Sequence, residues 1–153
     1  MGAGRLNAMA VPAAVFYNIL WERGRGMTDN GTRPAGEPAI RTLAMPADTN
    51  PNGDIFGGWI MAQMDIAGGI PAVKRAKGRI ATVAVTGMAF HKPVLVGDLV
   101  SCYAEIVKVG RTSITVKVET WIDRNRSGDS YKVTEGTFVY VAIDERGRPR
   151  AVE

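Results

Sequence analysis

The sequence predicts an α+β domain in which one long helix lies on one face of an antiparallel sheet of about five strands. Three observations lead there. From Ile55 to Val73 the chain is apolar, carries a single charge at Asp65, and is introduced by the turn-forming cluster Asn50-Pro51-Asn52-Gly53-Asp54, a pattern that suits a helix better than a strand. After Lys77-Gly78 every segment reads as strand, rich in Val and Thr and punctuated by turn signals. Thr112 to Ile122 alternates most clearly, with Ile114, Val116, Val118 and Ile122 on one face and Thr115, Lys117 and Glu119 on the other.

Taken in order, residues 1 to 36 read as an N-terminal extension, disordered or partly helical, ahead of a single domain over 37 to 153. The apolar patch Ala8 to Trp21 follows Arg5, as in a secretory signal. Pro12 and Asn18 interrupt it, Glu22 and Arg23 follow it, and no small-residue cleavage site is evident. It is also too short to span a membrane, so we expect no stable membrane insertion. Met27 opens a polar stretch, and the first 26 residues are read as dispensable or untranslated.

Ala39 to Met45 is a short strand stopped by Pro46, and the helix comes next. Pro71 lies in its later part, where it removes a backbone bond to the carbonyl of Ala67 and is expected to kink or end the helix. Ile80 to Phe90 is the next strand. A link containing His91-Lys92-Pro93-Val94 and Val96-Gly97-Asp98 leads to Leu99 to Val109, and Gly110-Arg111 predicts a two-residue type II′ hairpin into Thr112 to Ile122. A polar loop from Asp123 to Ser130 precedes the last strand, Tyr131 to Ile143.

Composition narrows the function classes. A chain of 153 residues supports one domain with a real core. The 46% hydrophobic and 22% charged content is that of an ordinary globular protein. A formal charge of +4, without Lys/Arg blocks interleaved with aromatics, argues against nucleic acid. One cysteine, Cys102, excludes an internal disulfide, and one histidine, His91, leaves no familiar metal cluster. Cys102 falls in an apolar strand and is read as a buried, inert thiol.

Asp65 is the anomaly. An ionised carboxylate among Ile60, Met61, Met64 and Ile66 is costly unless it is paired, hydrogen-bonded or solvated by a cleft. Its helical neighbours are Ala62, Met61, Gly68 and Gly69, three of them small. Two readings stay open: a solvated structural acid beside glycines that relieve packing, or an acid that acts on a ligand approaching over those small residues. At the helix start, Gly57 and Gly58 bare N–H groups without internal partners, which favour negative charge such as an oxyanion. Asp54 is either a cap there or part of a site. Asp65 and Gly58 stand about 10 Å apart on one helix. Two antiparallel copies across a two-fold axis would bring Asp65 of one to the Gly57-Gly58 end of the other, which predicts a homodimer with composite sites.

These strings carry a resemblance. RTLAMPADTNPNGDIFGGWIMAQMDIAGG, MAFHKPVLVGD, VGRTSI, VTEGTFVYVAID and GRPR, in order over about residues 38 to 150, closely resemble the YciA-like acyl-CoA thioesterases of the hotdog fold. The resemblance implies a long central helix wrapped by a curved antiparallel sheet, and hydrolysis of acyl-CoA thioesters to free acid and CoA. It implies no metal or organic cofactor, cytoplasmic location, and dimers that commonly assemble to hexamers. The family's helix aspartate falls on Asp65, its loop acid on Asp54 and its Gly-Gly helix start on Gly57 and Gly58. The resemblance thus moves Asp65 to the catalytic reading, with Asn52 and Asp54 orienting water or the loop. Pro51 departs from the small residue expected there.

For CoA, Lys92, Arg111, Thr112 and Ser113 lie at strand ends where a sheet rim offers cations and hydroxyls to phosphates. His91 reads as a rim or packing residue rather than a dehydratase base. Phe56, Trp59, Met61 and Met64 are candidates for an acyl tunnel or for plain packing. Two alternatives are carried: an acyl-CoA-binding hotdog module without hydrolysis, and a hotdog dehydratase or hydratase, which normally uses a histidine that this helix lacks.

Overall fold

The computed structural model describes residues 31–153, so the expectations for residues 1 to 30 lie outside the described residues. Five strands and one long helix follow each other as β1 (Ile40–Leu43), α1 (Gly57–Ala76), β2 (Ile80–Phe90), β3 (Leu99–Val109), β4 (Ser113–Arg124) and β5 (Asp129–Ala142). The sheet order is β1-β3-β4-β5-β2. Every pairing is antiparallel; the short turns require this for β3–β4 and β4–β5, whereas β1–β3 and β2–β5 join strands far apart in the chain.

The helix lies across the sheet against β2, β3, β4 and β5. Its buried stripe is Ile60, Met64, Ala67, Gly68, Ala72 and Ala76, a helical spacing that shrinks from Ile and Met to Ala toward the C-terminus. The inward residues of β4, Ile114, Val116, Val118 and Ile122, are fully buried beneath it, the face that alternation assigned to the core. Opposite them on the sheet, Trp121 is buried on the outer face under the Arg33 guanidinium, 5.7 Å from its ring.

Three local expectations are corrected. The helix does not end at Pro71 but runs to Ala76, because Ala72 and Ala76 are sealed in the core and the final turn is held from outside. There Arg150 Nη2 donates to the Ala76 carbonyl over 2.6 Å, and Lys77 ends the helix in the left-handed region with φ 50°. The β3–β4 turn is not type II′, which demands positive φ at its first central residue. Gly110 is not among the positive-φ residues; its N–H instead donates to the Ser113 carbonyl over 2.8 Å and leaves Arg111 and Thr112 as the turn. Strand ends also shift, β1 stopping at Leu43, β4 continuing to Arg124 and β5 starting at Asp129, since the β4–β5 ladder carries pairing out to Arg124↔Asp129.

The order places β2 at the sheet edge, with Val83, Val85 and Phe90 exposed. Beside it the helix exposes Met61, Ile66, Ile70 and Val73. Among the described residues no helix is long and apolar enough to cross a membrane.

Candidate active site

The turn ahead of the helix is built on Asn50. Its Oδ1 accepts the N–H groups of Asn52 at 2.9 Å and Asp54 at 3.2 Å, an Asx turn that the short polar side chain is suited to close. Its own N–H donates to the Asp54 carbonyl over 2.7 Å, and Gly53 donates back to the Asn50 carbonyl over 2.9 Å. Gly53 sits at φ 86°, where a side chain would be strained. Two longer-range bonds then dock the loop, Ile55 N–H to the Val94 carbonyl at 2.9 Å and Phe56 N–H to the Asp48 carbonyl at 3.0 Å.

The helix so presented has Phe56 as its N-cap and no side-chain capping bond, so Asp54 does not cap it. Its first residue, Gly57, lines a cleft of about 190 Å³ together with Asn50, Asp54, Phe90, Lys92 and Pro93, among others. The Phe90 ring closes over Gly57, where a Cβ would stand 3.3 Å from it; Gly58 has open space. Asp54 Oδ1 is buried without a hydrogen-bond partner. Unfilled donors, a glycine backbone and an apolar wall make a place for a polarised carbonyl. Asn52 is exposed and away from the cleft lining, and the neighbour the sequence reading passed over, Asn50, lines it.

Asp65 lies two turns on, half-buried at the edge where the helix meets β2. Thr82 Oγ1 donates to Asp65 Oδ1 over 2.8 Å, and the Tyr140 hydroxyl donates to the Asp65 backbone carbonyl over 2.8 Å. Burial raises the Tyr140 phenol pKa, and the Asp65 charge raises it further, so Tyr140 remains a donor. This contact requires one of the glycines beside Asp65, Gly68, and leaves Gly69 free to take a side chain. A Cβ on Gly68 would collide with the Tyr140 hydroxyl and stand 3.2 Å from Val118 Cγ2, whereas a Cβ on Gly69 would come no closer than 4.0 Å to the Tyr140 ring, an ordinary contact.

The remaining candidates divide between the two ends of the helix. Lys92 joins the Gly57 end, its Nζ 4.1 Å above the Tyr131 ring. Arg111 and Thr112 form the turn at the other end, with Ser113 opening β4; there Val152 N–H donates to the Arg111 carbonyl and Ala142 N–H to the Thr112 carbonyl. Within one chain, therefore, Lys92 and Arg111 are not brought together, nor are Asp65 and Gly57. Phe56 and Met61 are exposed, Trp59 is half-buried against the core, and Met64 is wholly core. His91 is exposed and engages Val133 only through its N–H. Among the described residues no group of three His, Cys, Asp or Glu is placed to hold a metal ion.

Cys102 is fully buried beside Thr120 Oγ1 at 3.4 Å. Burial pushes its thiol up to about 11, the Thr120 contact opposing. Roughly one molecule in ten thousand then carries the thiolate at neutral pH. Thiol reagents are expected to leave the folded protein unmodified and to titrate one thiol after denaturation, counted by absorbance; rapid native labelling would contradict the buried position.

Comparison with known proteins bears on the site. Residues 52–128 match the sequence pattern of the thioesterase superfamily. The chain is 56% identical over 127 residues to the acyl-CoA thioester hydrolase YciA of Salmonella typhimurium, covering 81% of this chain and 96% of that protein. The hexameric thioesterase y2039 from Yersinia pestis superposes with a TM-score of 0.75 at 56% identity, covering 79% of this chain and 98% of that one. HI0827, described as a hexameric broad specificity acyl-coenzyme A thioesterase and crystallised as an aspartate-to-alanine mutant, gives 0.74 at 53% identity over 77% of this chain and 87% of that one.

Proposed function

This chain belongs to the thioesterase superfamily, and from that premise we propose that it hydrolyses acyl-CoA thioesters to free acid and CoA at a site shared by two subunits. The observation that carries the reading is the separation of its parts. An uncapped helix N-terminus opens on a cleft at one end, and an acid in an otherwise uncharged helix segment stands about 10 Å away, too far to serve the same carbonyl within one chain. An antiparallel pairing of two copies closes that gap. The exposed apolar residues Ile66, Ile70, Val83 and Val85 flank Asp65 and Thr82 on the helix and the β2 edge, the surface such a pairing would bury.

In this mechanism the thioester carbonyl lies against the Gly57 and Gly58 N–H groups, whose field favours charge on the oxygen in the transition state. Asp65 of the facing subunit either removes a proton from the attacking water or attacks the carbonyl itself, forming an anhydride that water then opens. CoA leaves as the thiol. Asp54, which lines the cleft, orients water, while Asn50 holds the loop and Asn52 contributes only its N–H to that turn; the reaction uses no metal or organic cofactor. Lys92 of one subunit and the Arg111-Thr112-Ser113 turn of the other flank the same seam and receive the phosphates of CoA. The compartment is the cytoplasm, and the dimers assemble to a trimer of dimers.

The test is release of free thiol from acyl-CoA across chain lengths, with native mass spectrometry for the assembly. Hydrolysis by a hexamer supports the proposal; absence of thiol release at every chain length, or an active monomer, overturns it. Arg111→Ala is expected to raise KM about fivefold to tenfold with kcat near that of the parent, the signature of lost uniform binding. An unchanged KM would remove Arg111 from the phosphate site.

A further inference from the structure

Asp98 is 2% exposed, the most deeply buried acid among the described residues. Arg124, the last residue of β4, clasps it with two parallel bonds, Nε to Oδ1 at 2.9 Å and Nη2 to Oδ2 at 2.7 Å. Oδ2 also accepts the Leu95 N–H at 2.8 Å, and Arg124 Nη2 reaches the Pro93 carbonyl at 3.5 Å. The guanidinium further lies 5.6 Å from the Tyr131 ring, the ring over which Lys92 Nζ sits. All of these contacts converge on the link between β2 and β3, which has no ladder of its own.

That link is a wall of the cleft. Lys92, Pro93 and Val94 line it, and the Val94 carbonyl accepts the Ile55 N–H two residues before the helix. We propose that the Asp98–Arg124 pair is a positioning device for the thioesterase cleft, fixing the link so that Val94 sets the helix start and Lys92 faces the seam. This rests on the function proposed above. A buried ion pair adds little net stability over an apolar pair of similar volume, whereas a guanidinium fork fixes direction at two points. The link is already tied at its ends, by His91 N–H to the Val133 carbonyl at 2.8 Å and Gly97 N–H to the Ala44 carbonyl at 2.8 Å; what the fork adds is a fixed direction between those two points.

The test uses the full chain and two readouts. Arg124→Lys keeps the charge and loses the fork; it is expected to lower kcat/KM by about 10- to 100-fold, as small misplacements of reacting groups do. The Ile55 amide should at the same time exchange about tenfold faster with deuterium than in the parent, with β4 core amides unchanged. Asp98→Leu combined with Arg124→Met is expected to recover the parent's urea midpoint while kcat/KM stays low, which a merely structural role would not produce. Parental kcat/KM in folded Arg124→Lys, or unaltered Ile55 protection, overturns the inference and leaves the thioesterase reading intact. If instead the parent releases no thiol, that reading fails, and Ile55 exchange still decides whether the pair positions the helix start. Should Arg124→Lys fail to fold, Asp98→Asn takes its place with the same expected outcomes.

Discussion

Asp65→Ala is expected to lower kcat for acyl-CoA hydrolysis by about 10²- to 10⁴-fold, the range of a positioned acid or base, while CoA still binds. The side chain is half-buried and does not hold the core together, and its backbone carbonyl, which receives the Tyr140 hydroxyl, survives the substitution. Loss of activity with an unchanged urea midpoint would therefore report chemistry. Asp65→Asn sharpens the test: it retains an acceptor for Thr82 Oγ1 and loses the charge, so it should be as inactive as the alanine variant. Thr82→Val removes one hydrogen bond of about 1 kcal/mol and should cost near fivefold. Steady-state thiol release on the purified variants checks all three, and because Cys102 is sealed the thiol reagent reads CoA alone. Activity of Asp65→Ala within about twofold of the parent would remove the aspartate from the mechanism.

What the sequence discloses depends on how far apart the interacting residues lie. The limits of β2 and β3 were legible because Lys77-Gly78 and Gly110 punctuate them locally, and the core face of β4 because alternation is a property of neighbours. The acid in the helix and the bare Gly57-Gly58 start were legible for the same reason. Of the two readings open for the glycines beside Asp65, packing relief holds at Gly68, which makes room for Tyr140, a strand residue far along the chain whose approach nothing local announces. Asp98 looked like one more turn acid in Val-Gly-Asp until Arg124 closed on it from 26 residues away. Asn50 was within reach, since an Asx turn needs only an asparagine two residues ahead of a free N–H; Asn52 drew notice instead because it stands in the Asn-Gly-Asp string. Pro71 misled because its cost is local and the tertiary burial of Ala72 and Ala76 outweighs it.

Gly68→Ala should destabilise the protein by about 2 kcal/mol, against the usual gain from replacing a helical glycine. Alanine is favoured over glycine inside a helix by up to about 1 kcal/mol. Here its Cβ meets the Tyr140 hydroxyl, with Val118 Cγ2 at 3.2 Å on the other side, and overpacking of a tight core costs about 1–3 kcal/mol. Tyr140 is 1% exposed and cannot swing into solvent, so the helix must lift or the hydroxyl must abandon the Asp65 carbonyl, which adds about 1 kcal/mol. The opposing contributions therefore sum to a loss. Tyr140→Phe removes the colliding oxygen, so the double variant should be less destabilised than the two single losses added together, by about 1 kcal/mol. Urea midpoints at fixed protein concentration measure each corner of the cycle. A stabilised Gly68→Ala would mean that the glycine is a mere propensity defect and that the helix is free to slide on Tyr140. The predicted loss would mean that the phenol fixes the height of the helix above the sheet, and with it the reach of Asp65 at the β2 edge.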